Sequence, residues 1–235
     1  MTLNRRRAAL LATSAALAPW PAFAQAQAPA PRLGELKPLG NDRFQVGRIV
    51  VDKRAARFTV PGRVLVLGKP LEYLATSPGG MKAYEAMLEL NASGSEFNLA
   101  CILLGLERDP KQPDWRNFRQ SRLTGRPIGL FIAWGEGDKR RQITAAEGLL
   151  NPEAGVKPET VQWVYTGSPA SEARGGGIFA ADETGTLISF IHDANTVMDS
   201  SFTIGVGAYG SVRGSALMPP EGTPIELIVD ASPPK

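Results

Sequence analysis

The stretch from Leu71 to Asp109 constrains the fold of this chain most, because the period of its apolar residues changes partway along it. Apolar and polar side chains alternate over residues 71–76 and again over 84–90, which is typical of a β-strand with one buried face. Pro78-Gly79-Gly80 separates the two runs, and glycine supplies the positive φ that a tight reversal needs. We therefore predict a β-hairpin in this region.

A short helix is predicted directly after the hairpin. Ser93-Gly94-Ser95-Glu96 fits a capping box, in which the serine oxygen and the glutamate carboxylate accept hydrogen bonds from free amides of the first turn. Residues 97–106 are apolar almost all round, which indicates a buried helix, so at least one of Leu103 and Leu104 should be fully buried. Cys101, the only cysteine, is interpreted as a small buried hydrophobe in this helix.

Short strands separated by turns account for most of the remaining sequence. A second capping-box pattern, Thr144-Ala145-Ala146-Glu147, predicts a second short helix that stops by Pro152. Strands are expected at 44–51, 57–60, 64–67 (after a turn at Pro61-Gly62), 128–134, 139–143, 161–166, 178–181 and 186–191 (paired as a hairpin), and 225–229. The sequence therefore predicts a strand-dominated α+β domain with a mostly antiparallel sheet, one short buried helix and a second short helix.

The amino terminus has the composition of an export signal. Arg5-Arg6-Arg7 forms a positive region, an Ala/Leu run follows, and Ala22-Phe23-Ala24 is an A-x-A cleavage site. We predict a signal peptide at residues 1–24, with Sec and twin-arginine export both open. A flexible Ala/Pro/Gln-rich tether is predicted at 25–42 and one domain at 43–232. The mature protein is expected to be periplasmic or secreted and not transmembrane.

A series of short motifs resembles the YdjY-domain family of secreted bacterial proteins. The resemblance covers most of residues 46–230, and it depends on the order of the motifs. They are Leu71-Glu72-Tyr73, Gly79-Gly80-x-Lys82-x-Tyr84-Glu85, Leu99-Ala100, Leu103-Leu104-Gly105, Trp163-x-Tyr165-x-Gly167-Ser168, Ala181-Asp182-x-x-Gly185-x-Leu187-Ile188 and Pro219-Pro220-x-Gly222-Thr223-Pro224. The family has no established activity, so the resemblance implies a domain and a compartment and no particular reaction.

Composition argues against several classes of function. Without the three arginines of the signal, 23 basic residues balance 23 acidic ones, so nothing in the net charge predicts nucleic-acid binding. One cysteine and one histidine, His192, give no transition-metal constellation, and His192-Asp193 lacks the ligand density of a calcium loop. Arg174-Gly175-Gly176-Gly177 precedes a strand and not a helix, so it does not predict a phosphate site. We expect no metal centre and no cofactor.

Catalytic candidates are few. Lys82, Tyr84 and Glu85 cluster beside the glycine turn, where a lysine near an acid could transfer a proton if burial shifted its pKa. The alternative is that Lys82 and Glu85 are solvated ends of the hairpin. Ser168 follows a glycine in a loop, without the G-x-S-x-G context of a nucleophile elbow. A catalytic role for Cys101 would need His192, which is distant in sequence.

The polar segment 107–126 is the candidate for partner binding. It is long for a plain connection, and its aromatic residues lie among arginines, a composition that suits anionic or planar partners. The residues we assign to partner contact are Trp115, Arg116, Phe118, Arg119 and Arg122. The alternative is a surface loop in which Trp115 and Phe118 fold back on the core.

The sequence thus favours an exported, non-catalytic binding or accessory domain whose partner is an anionic envelope protein or ligand. A metal-independent envelope hydrolase or isomerase using Lys82 and Glu85 is the first alternative. A structural component of the envelope is the second. Neither the ligand nor the oligomeric state follows from the sequence.

Overall fold

The structure is a computed structural model that describes residues 35–114, 117–118, 121–150, 160–171, 177–204 and 212–232. Within these residues, strands dominate and two short α-helices interrupt them, so the predicted α+β class is confirmed. The elements are β1 (Leu36–Gly40), β2 (Arg43–Val46), β3 (Ile49–Asp52), β4 (Arg57–Val64), β5 (Tyr73–Thr76), β6 (Ala86–Leu90), α1 (Gly94–Leu103), β7 (Gly129–Trp134), β8 (Arg141–Thr144), β9 (Leu149–Leu150), β10 (Trp163–Tyr165), β11 (Ala170–Ser171), β12 (Ile178–Phe179), α2 (Ala180–Thr184), β13 (Thr186–Ser189), β14 (Met198–Ser200), β15 (Arg213–Gly214) and β16 (Pro224–Asp230).

Twelve of the strands form one sheet, and its pairing runs in a closed ring. The order β1-β2-β3-β4-β6-β5-β13-β14-β10 is one path, and β16 lies between β4 and β7. A single bridge between Ile128 and Trp163, with an N···O distance of 2.9 Å, joins the start of β7 to β10. The ring therefore runs β4-β6-β5-β13-β14-β10-β7-β16 and returns to β4, while β1–β3 and β8 extend outward from it.

The last strand, β16, occupies a central position. It pairs antiparallel with β4 along its whole length and with β7 over residues 226–230. Its side chains alternate as the predicted period requires, with Ile225, Leu227 and Val229 buried. The strand predicted at 225–229 is thus confirmed, and it joins β4 to β7 in the sheet.

Helix α1 begins as predicted but is buried on one face only. Ser93 and Glu96 make both reciprocal hydrogen bonds of a capping box. The buried residues include Phe97, Ala100 and Cys101, at helical spacing, and the Phe97 ring packs edge-on against Phe58 with centroids 5.3 Å apart. Cys101 is therefore buried, as predicted.

The expectation that Leu103 or Leu104 would be fully buried is wrong. Both are half-buried and pack against the edge of the core. Ile102 is 52% exposed on the outer side of the helix. The chain turns at Leu104 and Gly105, so these last residues have no further helical turn to cover them.

The hairpin predicted from Leu71 to Leu90 is also wrong. Strands β5 and β6 are adjacent but parallel, with Tyr73 opposite Ala86. Residues 77–85 carry the chain back between them, and a 3-10 turn at Ala83–Glu85 precedes β6. Gly80 packs on Gly185, since a Cβ at Gly80 would lie 2.7 Å from the Gly185 carbonyl oxygen. The absence of a side chain at Gly80 therefore allows the turn to pack against Gly185, just before β13.

The second capping-box pattern forms its hydrogen bonds without a helix. Thr144 N and Oγ1 donate to Glu147 Oε2 over 2.7 and 2.8 Å, yet the chain makes one turn and enters β9. The second helix is α2 instead, inside the region where a hairpin was predicted at 178–191. Gly185, with φ +68°, ends that helix.

The end of the tether and one turn also differ from the prediction. Strand β1 lies within residues 25–42, so the predicted tether is too long at its carboxyl end. Pro61-Gly62 is not a turn, because β4 runs straight through it. Gly62 is required there, since a Cβ would collide with the carbonyl oxygen of Glu89 on β6. Across the described part of the chain, no helix is both long and apolar enough to span a membrane.

Candidate functional site

The predicted residues Lys82, Tyr84 and Glu85 do come together, on the return segment between β5 and β6. Lys82 Nζ lies 2.6 Å from Glu85 Oε1 and 3.3 Å from the Tyr84 hydroxyl. The same ammonium lies 5.9 Å from the centre of the Tyr73 ring and 5.5 Å from that of Tyr84, within the range of a cation–π contact. We call Tyr73, Lys82, Tyr84 and Glu85 the Lys82 cluster.

The electrostatics of the Lys82 cluster favour a fixed cation over a base. The hydrogen bond that Lys82 donates to Glu85 raises the pKa of Lys82 to about 12, so the amine keeps its proton at neutral pH. The Lys82 side chain is 36% exposed and the Glu85 side chain 15%, so both are partly shielded from water. A protonated amine held in an ion pair can donate hydrogen bonds, but it cannot abstract a proton.

Tyr73 links the Lys82 cluster to a buried acid network. Its hydroxyl donates to Asp193 Oδ2 over 2.9 Å. Burial raises the pKa of Tyr73, and the charge of Asp193 adds to the effect, so the phenol keeps its proton. Tyr73 is buried on β5, so its ring forms the floor below the Lys82 ammonium.

The acid network consists of Asp193 and Asn195, between β13 and β14, and Asp199 on β14. Asp193 Oδ1 accepts hydrogen bonds of 3.0 Å from Asn195 N and Nδ2. Asp199 is fully buried and accepts from Asp193 N over 3.0 Å and from Ser200 N over 2.8 Å. Burial raises the pKa of the Asp199 carboxyl well above its ordinary value. The sequence analysis missed this network, although an Asp-x-Asn turn between two apolar strands is visible in the sequence.

His192 lies between β14 and Phe118 of the segment 107–126. Its Nε2 lies 2.9 Å from the Ser200 carbonyl oxygen, and its ring meets the Phe118 ring at a centroid distance of 6.1 Å. Burial lowers the pKa of His192, so the neutral imidazole is favoured. Burial raises the pKa of the Cys101 thiol, which argues against a reactive thiolate.

Ser168 has a structural partner on each side. Its hydroxyl donates to the Asn195 carbonyl oxygen over 2.8 Å and accepts from Ala181 N over 2.9 Å. The residue thus joins the acid network to the first turn of α2. Its recorded hydrogen bonds go to backbone groups and not to a side chain that could act as a base, so this geometry does not favour a nucleophile.

The described part of the segment 107–126 contains buried residues of its own. Phe118 and Leu123 pack with Val164, and the buried Gln112 side chain bonds to the backbone of Thr124 in both directions. The interpretation of Phe118 as a partner contact is therefore corrected, because its ring is only 1% exposed. Arg122 is exposed, as partner binding requires. Trp115, Arg116 and Arg119 lie outside the described residues.

Metal binding has no clear location in the described residues. Among them, no group of three or more histidine, cysteine, aspartate or glutamate side chains is placed to hold a metal ion. The acid network uses its carboxylate oxygens to accept hydrogen bonds from backbone, amide and phenol groups.

Comparison with known proteins gives one clear result. The sequence model of the YdjY domain family matches residues 49–230, which is most of the chain. The matched range includes the Lys82 cluster and the acid network. No curated protein and no solved structure matches the chain significantly. Because the match extends from β3 to the end of β16, the chain belongs to the YdjY domain family.

Proposed function

We propose that the chain is an exported, non-catalytic binding domain that contacts its partner through the Lys82 cluster. The observation that carries the proposal is the fixed position of the Lys82 ammonium, between Glu85 and two tyrosine rings. A side chain that is already immobilised loses little further entropy when a partner binds, which favours affinity.

Exposed apolar area next to the ammonium supports the same proposal. Met81 is 63% exposed and Tyr84 is 62% exposed, and they flank Lys82 in the sequence. Tyrosine is enriched among residues that dominate binding energy, and exposed apolar patches with polar residues at their rim mark interaction sites. The partner we propose is an anionic envelope protein or ligand, whose acidic group would compete with Glu85 for the Lys82 ammonium.

Catalysis by Lys82 and Glu85 is the weaker alternative. A hydrolase or isomerase would need one of the two groups to accept a proton, whereas the raised pKa of Lys82 keeps its amine charged.

Export is proposed from the sequence alone, on the positive region, the apolar run and the A-x-A site of residues 1–24. The proposed compartment is the periplasm or the medium.

A pull-down from envelope extract tests the proposal with protein purified after export. Amino-terminal sequencing of that protein should give Gln25 as the first residue. The M81A/Y84A double variant should lose most of the recovered partner, because it removes the exposed apolar area and leaves the Lys82–Glu85 ion pair in place. The matched control is I102A, which removes an exposed apolar side chain from α1.

A second variant separates the Lys82 cluster from the segment 107–126. The R116A/R119A/R122A triple variant should keep its partner if the Lys82 cluster is the contact surface, and should lose it if the arginines are. Equal recovery by the parent and M81A/Y84A, with loss in the triple variant, would move the binding surface to the segment 107–126.

A further inference from the structure

A cavity of about 350 Å³ opens where two strands diverge from β7. Residues Phe131–Trp134 of β7 pair with β8, whereas Ile128, just before β7, pairs with Trp163 of β10. Between these two pairings, the Leu130 carbonyl oxygen accepts a hydrogen bond of 2.8 Å from Ala145 N, just beyond the end of β8. The cavity therefore lies beside the point where a single bridge, between Ile128 and Trp163, closes the ring of strands.

The buried base of the cavity is apolar, while Thr144 and Glu147 give its lining a polar side. Ile128, Leu130 and Trp163 are buried and line it, and Phe131 and Val161 are half-buried beside them. A Cβ at Gly129 would lie 2.9 Å from the Phe131 ring, so the absence of a side chain at Gly129 makes room for that ring. Such a lining favours a compact apolar group.

Among the described residues that line this cavity, Glu147 is the ionisable one. Both hydrogen bonds from Thr144 go to its Oε2, and its Oε1 accepts none from any described residue. The Thr144 backbone N–H lowers the pKa of Glu147, and the threonine hydroxyl lowers it further. A charged carboxylate thus lies in the lining of the cavity, and none of the described residues that line it is basic.

We propose that this cavity is a binding site for a small molecule that carries a protonated amine on a compact apolar body. The volume is near the lower end of the range for ligand pockets, which limits the ligand to a small molecule. The Glu147 carboxylate would accept a charge-assisted hydrogen bond from the ammonium group, while anions would be repelled. This site goes beyond the proposed function, since no residue of the Lys82 cluster lines the cavity.

Calorimetric titration of the full chain with cyclohexylmethylamine tests the proposal. The neutral probe cyclohexylmethanol has the same apolar body and lacks the charge. We expect the amine to bind saturably and at least about tenfold more tightly than the alcohol, as a charge-assisted hydrogen bond would require. The assay is independent of the pull-down, so failure here leaves the Lys82 cluster proposal standing, and the reverse also holds.

Three variants identify the site. E147Q keeps a carbonyl oxygen that can accept the hydrogen bonds from Thr144, so the turn should still fold. The affinity of this variant for the amine should fall about tenfold, and its affinity for the alcohol should not change. E136Q, which removes an exposed carboxylate from the turn between β7 and β8, should bind both probes like the parent. A146L places a larger side chain in the cavity and should block both probes.

The proposal is overturned by any of three results. These are the absence of saturable amine binding by the parent, equal affinity for amine and alcohol, and an unchanged amine affinity in E147Q. If A146L does not fold, the comparison of E147Q with E136Q still decides the matter.

Discussion

At the scale of single residues, Asp199 is the most unusual group in the described structure. It is a carboxyl group with no exposed surface, and its hydrogen-bond partners among the described residues are backbone N–H groups and the Ser189 side chain, none of which is basic. Backbone donors stabilise the ionised form, but burial opposes it more strongly and raises the pKa of Asp199. The folded chain therefore holds a proton on Asp199 at a pH where the unfolded chain has lost it.

This difference gives stability a definite dependence on pH. The contribution of the bound proton is fully present below the ordinary aspartate pKa of 3.8 and is lost as the pH rises through the raised pKa of Asp199. D199N cannot ionise and leaves one backbone N–H without an acceptor, which should cost about 1–3 kcal/mol at acid pH. The difference in free energy of unfolding between the parent and D199N should then narrow as the pH rises, in urea titrations from pH 4 to pH 8.

The control for this prediction is D138N, at an exposed aspartate in the turn between β7 and β8. Its difference from the parent should stay near zero at every pH, since exposed charges contribute little. A gap between the parent and D199N that remains constant or widens with pH would mean that Asp199 is ionised in the folded chain.

The residues of the candidate site differ in how far sequence could identify them. Lys82 and Glu85 are three positions apart, and local spacing was enough to predict that they meet. Tyr73 is on a different strand, and Asp193 is 120 residues away from it along the chain. Only the pairing of β5 with β13 brings the two together, and a single sequence does not contain that pairing. The prediction therefore found the exposed half of the site and missed its buried half.

At the scale of elements, the two capping boxes show what local chemistry decides. Ser93-x-x-Glu96 and Thr144-x-x-Glu147 make the same reciprocal hydrogen bonds, but only the first opens a helix. The capping bonds need a single turn, whereas a helix continues only if its following residues have a surface to pack against. After Glu147 the chain instead pairs Leu149–Leu150 with β15. The caps were predictable, and the tertiary contacts that continue or stop a helix were not.

The contribution of each α1 side chain to the free energy of unfolding should depend on how deeply it is buried, and not only on whether it is apolar. Phe97 is fully buried against Phe58, Leu103 is half-buried, and Ile102 is mostly exposed. F97A should cost about 3–5 kcal/mol, because it leaves a cavity in the core. L103A should cost less, and I102A should change the free energy of unfolding by no more than about 0.5 kcal/mol. Urea denaturation of the three variants measures the three losses of stability. A loss in I102A as large as that in F97A would contradict the orientation of the helix.

At the scale of the whole molecule, the ring of strands explains why strand order was not predictable. Period-2 patterns identified β7, β10 and β16 correctly, because alternation depends on which side chains face the core. The same patterns do not say which strands are neighbours, and β5 and β6 turned out parallel where a hairpin was expected. The terminal position of β16 in sequence gave no indication that it lies between β4 and β7.

This arrangement predicts that removal of β1 lowers the stability of the domain little, whereas removal of β16 lowers it greatly. All five residues of β1 are exposed, and it pairs with β2 only, at the edge of the sheet. Strand β16 buries Ile225, Leu227 and Val229, each worth about 1.5–3 kcal/mol, and it supplies hydrogen bonds to two neighbours. A domain is typically stable by about 5–15 kcal/mol, so loss of β16 should remove most or all of that stability.

Two truncated chains measure this difference with circular dichroism and urea denaturation. A chain beginning at Asn41 lacks β1 and should keep a cooperative unfolding transition close to that of the mature protein. A chain ending at Gly222 lacks β16, leaves the edges of β4 and β7 unpaired, and should show no cooperative transition and a tendency to aggregate. A cooperative transition in the chain ending at Gly222 would place β16 at the edge of the fold and would contradict the closed ring. Loss of the transition in the chain beginning at Asn41 would instead make β1 essential, which its exposure does not predict.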